Sequence, residues 1–171
     1  TEYQRITECQ FKHVDLFICE TMSSVEEACI SITVAKQTGL PVWTSFTVDE
    51  DNGELLRSGE PILDGAKAVL AKGTSAILIN CSPPESITQA VEKLVALGAG
   101  IGAMANGFVT TKPLKGNTTV DVLESRLELT PQKYVTFTKD WFSKGAKIIG
   151  GCCEIGPQHI AEINKIREVK N

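Results

Sequence analysis

Three of the six cysteines stand where thiol chemistry is possible. Near the C-terminal end, Lys147-Ile148-Ile149 runs into Gly150-Gly151-Cys152-Cys153-Glu154. Adjacent cysteines are poorly placed to bond each other, because a relaxed disulfide needs a particular separation and torsion. They are well placed to hold one soft metal ion together. A third thiol follows another apolar stretch, Ile77-Leu78-Ile79-Asn80-Cys81. Three thiolates at strand ends make a zinc site with one open position, the pattern of catalytic sites. A fourth strong ligand such as His159 would close it into a structural site. Buried, inert cysteines are the remaining reading. The two glycines allow a tight turn and leave room for a ligand at the strand end.

Such a site needs strands that deliver its thiols, and the pattern supplies them. Residues 1–12 read as the tail of a helix and 14–19 as a strand. Glu20-Thr21-Met22 follows, and Ser23 or Ser24 can cap a helix that stops at Gly39. A strand over 41–47 comes next, then a polar loop with a small hairpin at Asp51-Asn52-Gly53. Helix 61–72, strand 76–80, helix 86–97 and strand 101–105 succeed one another. Residues 109–129 form the longest irregular stretch, and loops of that length are commonly functional or mobile. Thr130 and Pro131 start a helix that Gly145 stops. Strand 147–150 and a helix from 157 to about Lys170 complete the chain. Strand–helix repeated five times implies a parallel sheet with right-handed crossovers. Ligands in such folds bind at the C-terminal strand ends, where the candidate residues lie.

The chain has 171 residues, 42% hydrophobic and 22% charged, which suits one domain with a real core. A net charge of −4 without a basic stripe argues against nucleic acid as a partner. No apolar run reaches a membrane span and no signal peptide is visible. Reduced thiols in a cytoplasmic protein fit the cysteine usage. Cys9, Cys19 and Cys29 read as packing residues. The chain begins at Thr1 rather than Met, so it looks excised, processed or incomplete. No Gly-rich phosphate fingerprint follows any strand, which weighs against an open nucleotide-binding sheet.

Glu20-Thr21, Asn80-Cys81 and Gly150-Gly151-Cys152-Cys153, each after a strand and in that order, resemble the zinc-dependent homocysteine S-methyltransferases. The resemblance extends over nearly the whole chain. It implies a (β/α)8 TIM barrel, here partial, with about five βα units resembling the fourth to eighth strands and the first three missing. It implies a single homocysteine-binding domain over 1–171 in which Cys81, Cys152 and Cys153 bind Zn²⁺ and homocysteine sulfur takes the fourth position. Glu20 would contact the substrate ammonium, with Thr21, Thr44, Ser45 and Asn106 as further substrate-site candidates. Asn106 could offer its amide oxygen to the metal when substrate is absent. Trp43 and Phe46 read as core. The implied reaction is methyl transfer from a small donor to homocysteine, giving methionine. A zinc-binding structural or regulatory half-domain, or a redox-sensing thiol protein, are the alternatives. Five strands cut from a barrel would leave open edges at 14–19 and 147–150 and uncover Ile18, Ile79 and Ile148. A homo-oligomer or a complementing N-terminal segment is the expected remedy.

Overall fold

The computed structural model describes residues 2–116 and 118–168. Among these, five strands form one sheet: β1 (Phe17–Met22), β2 (Val42–Phe46), β3 (Ala76–Asn80), β4 (Gly100–Met104) and β5 (Ile148–Ile149). All neighbours are parallel and the spatial order is the chain order. A doubly wound sheet reverses its strand order at a switch point, whereas this one does not. Right-handed crossovers in one continuing direction put every connecting helix on the same face. The arrangement is therefore part of a (β/α) barrel, open in this chain, with β1 and β5 as its outer strands.

The helices are α1 (Glu2–Gln10), α2 (Val25–Ala35), α3 (Ile62–Ala71), α4 (Pro84–Leu94), α5 (Pro131–Lys144) and α6 (Pro157–Glu168). Their starts follow the expected capping chemistry. The Ser24 side chain accepts from Glu27 N–H ahead of α2, and Thr130 accepts from Lys133 N–H ahead of α5. Gly145 closes α5 at φ +112°, a conformation that favours glycine.

Several boundaries differ from the sequence reading. β1 begins at Phe17, whose N–H bonds Pro41 O, and it extends to Met22, with the register shifting at Glu20-Thr21 between the Cys19 and Met22 pairs. α4 starts at Pro84, two residues early, because proline suits a first helical position. β5 has only two residues. The stretch around 51–53 is an Asx-type turn on Asp49, flanked by single bridges rather than a hairpin. The end assigned to the last helix at Lys170 lies outside the described residues. The 109–129 stretch contains two short 3₁₀ helices, Lys112–Gly116 and Val120–Val122.

Side chains alternate across each strand, so the register sorts them into two faces. Val42, Phe46, Ile77, Ile79 and Ile101 look toward the helices and form the core with Ile32, Ile62, Val69, Ile87, Leu94 and Trp141. Ile18, Trp43, Leu78 and Ile148 share the opposite, concave face. Ile79 thus belongs to the helix side, correcting its assignment to the barrel interior; Leu78 takes that place. A Cβ on Gly102 would lie 2.9 Å from Leu78 Cγ and 3.0 Å from Ile148 Cβ. The missing side chain is what lets those two residues close over β4. Ile18, at 43% exposure, stays uncovered as expected, and Trp43 is half-buried there rather than in the core.

Candidate metal centre

β3 and β5 flank β4, and the segments that leave their C-terminal ends both bond to the end of β4, which brings their thiols together. The Sγ atoms of Cys81, Cys152 and Cys153 all lie within 4.8 Å of one another, and the last two are 3.9 Å apart. Backbone bonds fix each turn. Cys81 N–H donates to Met104 O, Cys152 N–H to Ala105 O, and Gly107 N–H to Cys153 O. Cys81 holds a left-handed backbone, φ +51°, as do Thr21 at +60° and Glu154 at +66°. Such a conformation is unusual for non-glycine residues, above all for β-branched threonine. Unfavourable backbone of this kind persists where surrounding structure over-determines it, and it gathers at functional sites.

The double glycine works differently from the sequence reading. Neither Gly150 nor Gly151 has positive φ. A Cβ on Gly151 would sit 2.2 Å from Ile155 Cγ2, and one on Gly150 3.2 Å from Met104 Cγ. The glycines leave room for neighbouring side chains rather than for a ligand.

The three thiols do not hold their protons equally. Hydrogen bonding from Cys81, helped by the Cys153 backbone, pushes the Cys152 thiol below its ordinary range. That same bond and burial push Cys81 far up, and burial followed by the charge on Cys152 raises Cys153. Three convergent thiols are a donor set suited to a soft or borderline divalent ion.

Polar groups cluster around the triad. Asn80 is wholly buried, with Nδ2 2.7 Å from Thr21 Oγ1, 3.4 Å from Glu20 Oε1 and 4.0 Å from Cys152 Sγ. Glu20 itself is exposed at the mouth. Ser45 lies beneath, fully buried, donating to Asn80 Oδ1 at 2.7 Å. It reaches the mouth only through Asn80. Thr44 does not join the site. It faces the helix side and bonds Thr74 Oγ1 at 3.0 Å, so its assignment to the barrel mouth is corrected by strand alternation. Asn106 is buried beside Ser82, its N–H on Ser82 O. Its Oδ1 accepts from Phe108 N–H, while Nδ2 has no hydrogen-bond partner. The amide oxygen is thus engaged, and the unsatisfied group is a donor.

His159 closes no metal site. Its Nδ1 accepts from Gly156 N–H at 3.2 Å, which leaves Nε2 protonated and donating to Leu129 O at 3.0 Å. It caps the start of α6 and packs edge-on against Tyr134. Of the other cysteines, Cys19 is buried as expected, Cys29 is half-buried, and Cys9 is exposed on α1, where no core reaches it.

Two supports escaped the sequence reading. Tyr134 on α5 donates to Gly150 O at 2.8 Å and accepts from Ala105 N–H at 3.1 Å, joining the ends of β4 and β5 under the cysteines. A tyrosine on a helix's apolar face was its one signal, since a buried hydroxyl needs a partner. Arg57 donates to Thr111 Oγ1 at 2.9 Å and approaches Cys81 O at 3.5 Å, while Glu50 accepts from Thr110 and Thr111. These bonds fasten the 109–129 stretch over the Cys81 turn.

A thiol triad at the C-terminal ends of parallel strands defines a candidate thiolate metal centre on a barrel-type sheet. The family described as homocysteine S-methyltransferase matches residues 3–167, and the chain belongs to that family. It is 28% identical over 167 residues to mouse betaine–homocysteine S-methyltransferase 1, covering 89% of this chain and 39% of the relative. Homocysteine S-methyltransferase 1 of Arabidopsis thaliana is 26% identical over 157 residues, covering 88% and 45%. The chain thus spans less than half the length of these relatives. The apo structure of the homocysteine methyltransferase MmuM from Escherichia coli superposes with a TM-score of 0.72 at 23% identity, over 96% of this chain and 56% of that one. Its metallated form gives 0.71 at 22% identity, over 96% and 51%. That likeness shows the fold. Among the described residues no helix is long and apolar enough to cross a membrane.

Proposed function

We propose that the protein transfers a methyl group to the thiol of homocysteine, giving methionine, with Zn²⁺ held by Cys81, Cys152 and Cys153. The observation that carries this reading is the convergence of the three Sγ atoms within 4.8 Å, beside a carboxylate that Asn80 ties to them. When bound, the ion would favour the deprotonated form of the substrate thiol near neutral pH. Glu20, exposed at the mouth, offers its carboxylate to the homocysteine ammonium. Thr21 holds the adjoining corner through its bond to Asn80. Asn106, wholly buried with an unpartnered Nδ2 donor, remains a further substrate-site candidate. In the reaction the homocysteine sulfur bonds the methyl carbon and its proton leaves to solvent. The bond from that carbon to the donor's onium centre breaks, and its electron pair stays on the donor.

The reading extends to the setting of the chain. The outer edges of β1 and β5 and the exposed Ile18 call for further strands from the same protein or from a second copy. Thiolate ligands are best kept in a reducing compartment, which supports a cytoplasmic setting.

Zinc analysis and methyl transfer in the intact protein test the proposal, with S-methylmethionine, S-adenosylmethionine and betaine as donors. One zinc per chain and methionine formation from one donor are expected. Cys152→Ala should lose both after dialysis against a weak chelator. Full zinc retention by that variant, or methyl transfer independent of zinc, would sink the reading.

A further inference from the structure

We infer that Asn80 is the positioning residue that locks the substrate-binding carboxylate of Glu20 to the thiol triad, an inference that rests on the functional reading above. Glu20 stands on the first strand of the sheet and Cys152 just beyond the last, so no local backbone fixes their separation. Asn80, on the central strand, is wholly buried and reaches both. Carboxylates and thiolates only accept hydrogen bonds. The amide nitrogen must therefore face Glu20 and Cys152, and the amide oxygen must face Ser45, whose hydroxyl donates to it at 2.7 Å. Ser45 thereby sets the polarity of the amide. Nδ2 carries two hydrogens for three acceptors. One serves Thr21 Oγ1 at 2.7 Å, and the other is shared between Glu20 Oε1 and Cys152 Sγ. The Thr21 bond has a second effect. It secures a β-branched residue in the left-handed region at φ +60°, the bend that aims Glu20 at the cluster. Partners behind a ligand orient it and tune it, and Asn80 does so for the Cys152 thiolate and the Glu20 carboxylate at once.

The test compares three variants of the intact, zinc-loaded protein: Asn80→Asp, Asn80→Ala and Ser45→Ala. Homocysteine affinity is measured by calorimetry, and the thiolate-to-metal absorption band is recorded after cobalt substitution. Asn80→Asp keeps the shape and the Ser45 bond but sets an acceptor against Glu20 and Cys152. Affinity should fall about a hundredfold in Asn80→Asp, about tenfold in Asn80→Ala and about threefold in Ser45→Ala. The cobalt band should shift in both Asn80 variants. A packing role gives the reverse order, since aspartate fills the space that alanine leaves empty. Equal or better binding by Asn80→Asp than by Asn80→Ala, or an unshifted band, overturns the inference. Should neither Asn80 variant fold, Ser45→Ala decides: a threefold loss supports it and unchanged affinity overturns it. Unsubstituted protein that binds neither zinc nor homocysteine would instead sink the functional reading, and the inference with it.

Discussion

On the helix side of the sheet, Ile77 and Ile79 are wholly buried and their neighbours are aliphatic or aromatic. On the concave side of the same strand, Asn80 is equally buried, yet its amide meets a carboxylate, two hydroxyls and a sulfur. Two non-glycine residues with left-handed backbone, Thr21 and Cys81, flank it. One face is held by apolar area, which is tolerant of identity and sensitive to volume. The other is held by directional bonds and unfavourable backbone, where identity matters more than volume. Changes on the first should therefore move stability, and changes on the second should move binding.

Ile77→Ala should give the largest stability loss, about 2–5 kcal/mol, with zinc content per folded chain unchanged. Denaturant titration checks it. An unmoved midpoint would break the contrast from the apolar side. Tyr134→Phe sits between the two regimes. It leaves the buried Ala105 N–H unpaired and should cost about 1–3 kcal/mol, while loosening the Gly150 turn enough to speed zinc release to a chelator. A stability loss without faster release would make Tyr134 a core residue only. Glu20→Gln should leave stability and zinc content as they are, because the side chain is exposed, and weaken homocysteine binding roughly tenfold through loss of a charge-assisted bond. Unchanged affinity by calorimetry would remove Glu20 from the site.

The part of this contrast that sequence reveals follows from what periodicity and motifs encode. Apolar runs such as Ala76-Ile77-Leu78-Ile79 mark a strand covered on both faces, and the caps at Ser24 and Thr130 mark helix starts. The triad was legible because Asn80-Cys81 and Gly150-Gly151-Cys152-Cys153 follow strands. Which face a residue takes was less legible, because a wholly apolar strand shows no alternation. Ile79 and Leu78 exchange roles for that reason, and Thr44 turns away from the mouth while Ser45 turns toward it. The supporting bonds of Asn80, Tyr134 and Arg57 join residues distant in the chain, and no local pattern announces them. Asn80 did carry one signal. A polar residue closing an otherwise apolar, buried strand must have its hydrogen bonds met.

X-ray absorption at the zinc edge, on the intact protein with and without homocysteine, counts the sulfur ligands of the metal. Three sulfur neighbours, from Cys81, Cys152 and Cys153, are expected without homocysteine and four with it. Two or fewer protein sulfurs, or a sulfur count that saturating homocysteine leaves unchanged, would contradict the proposed site.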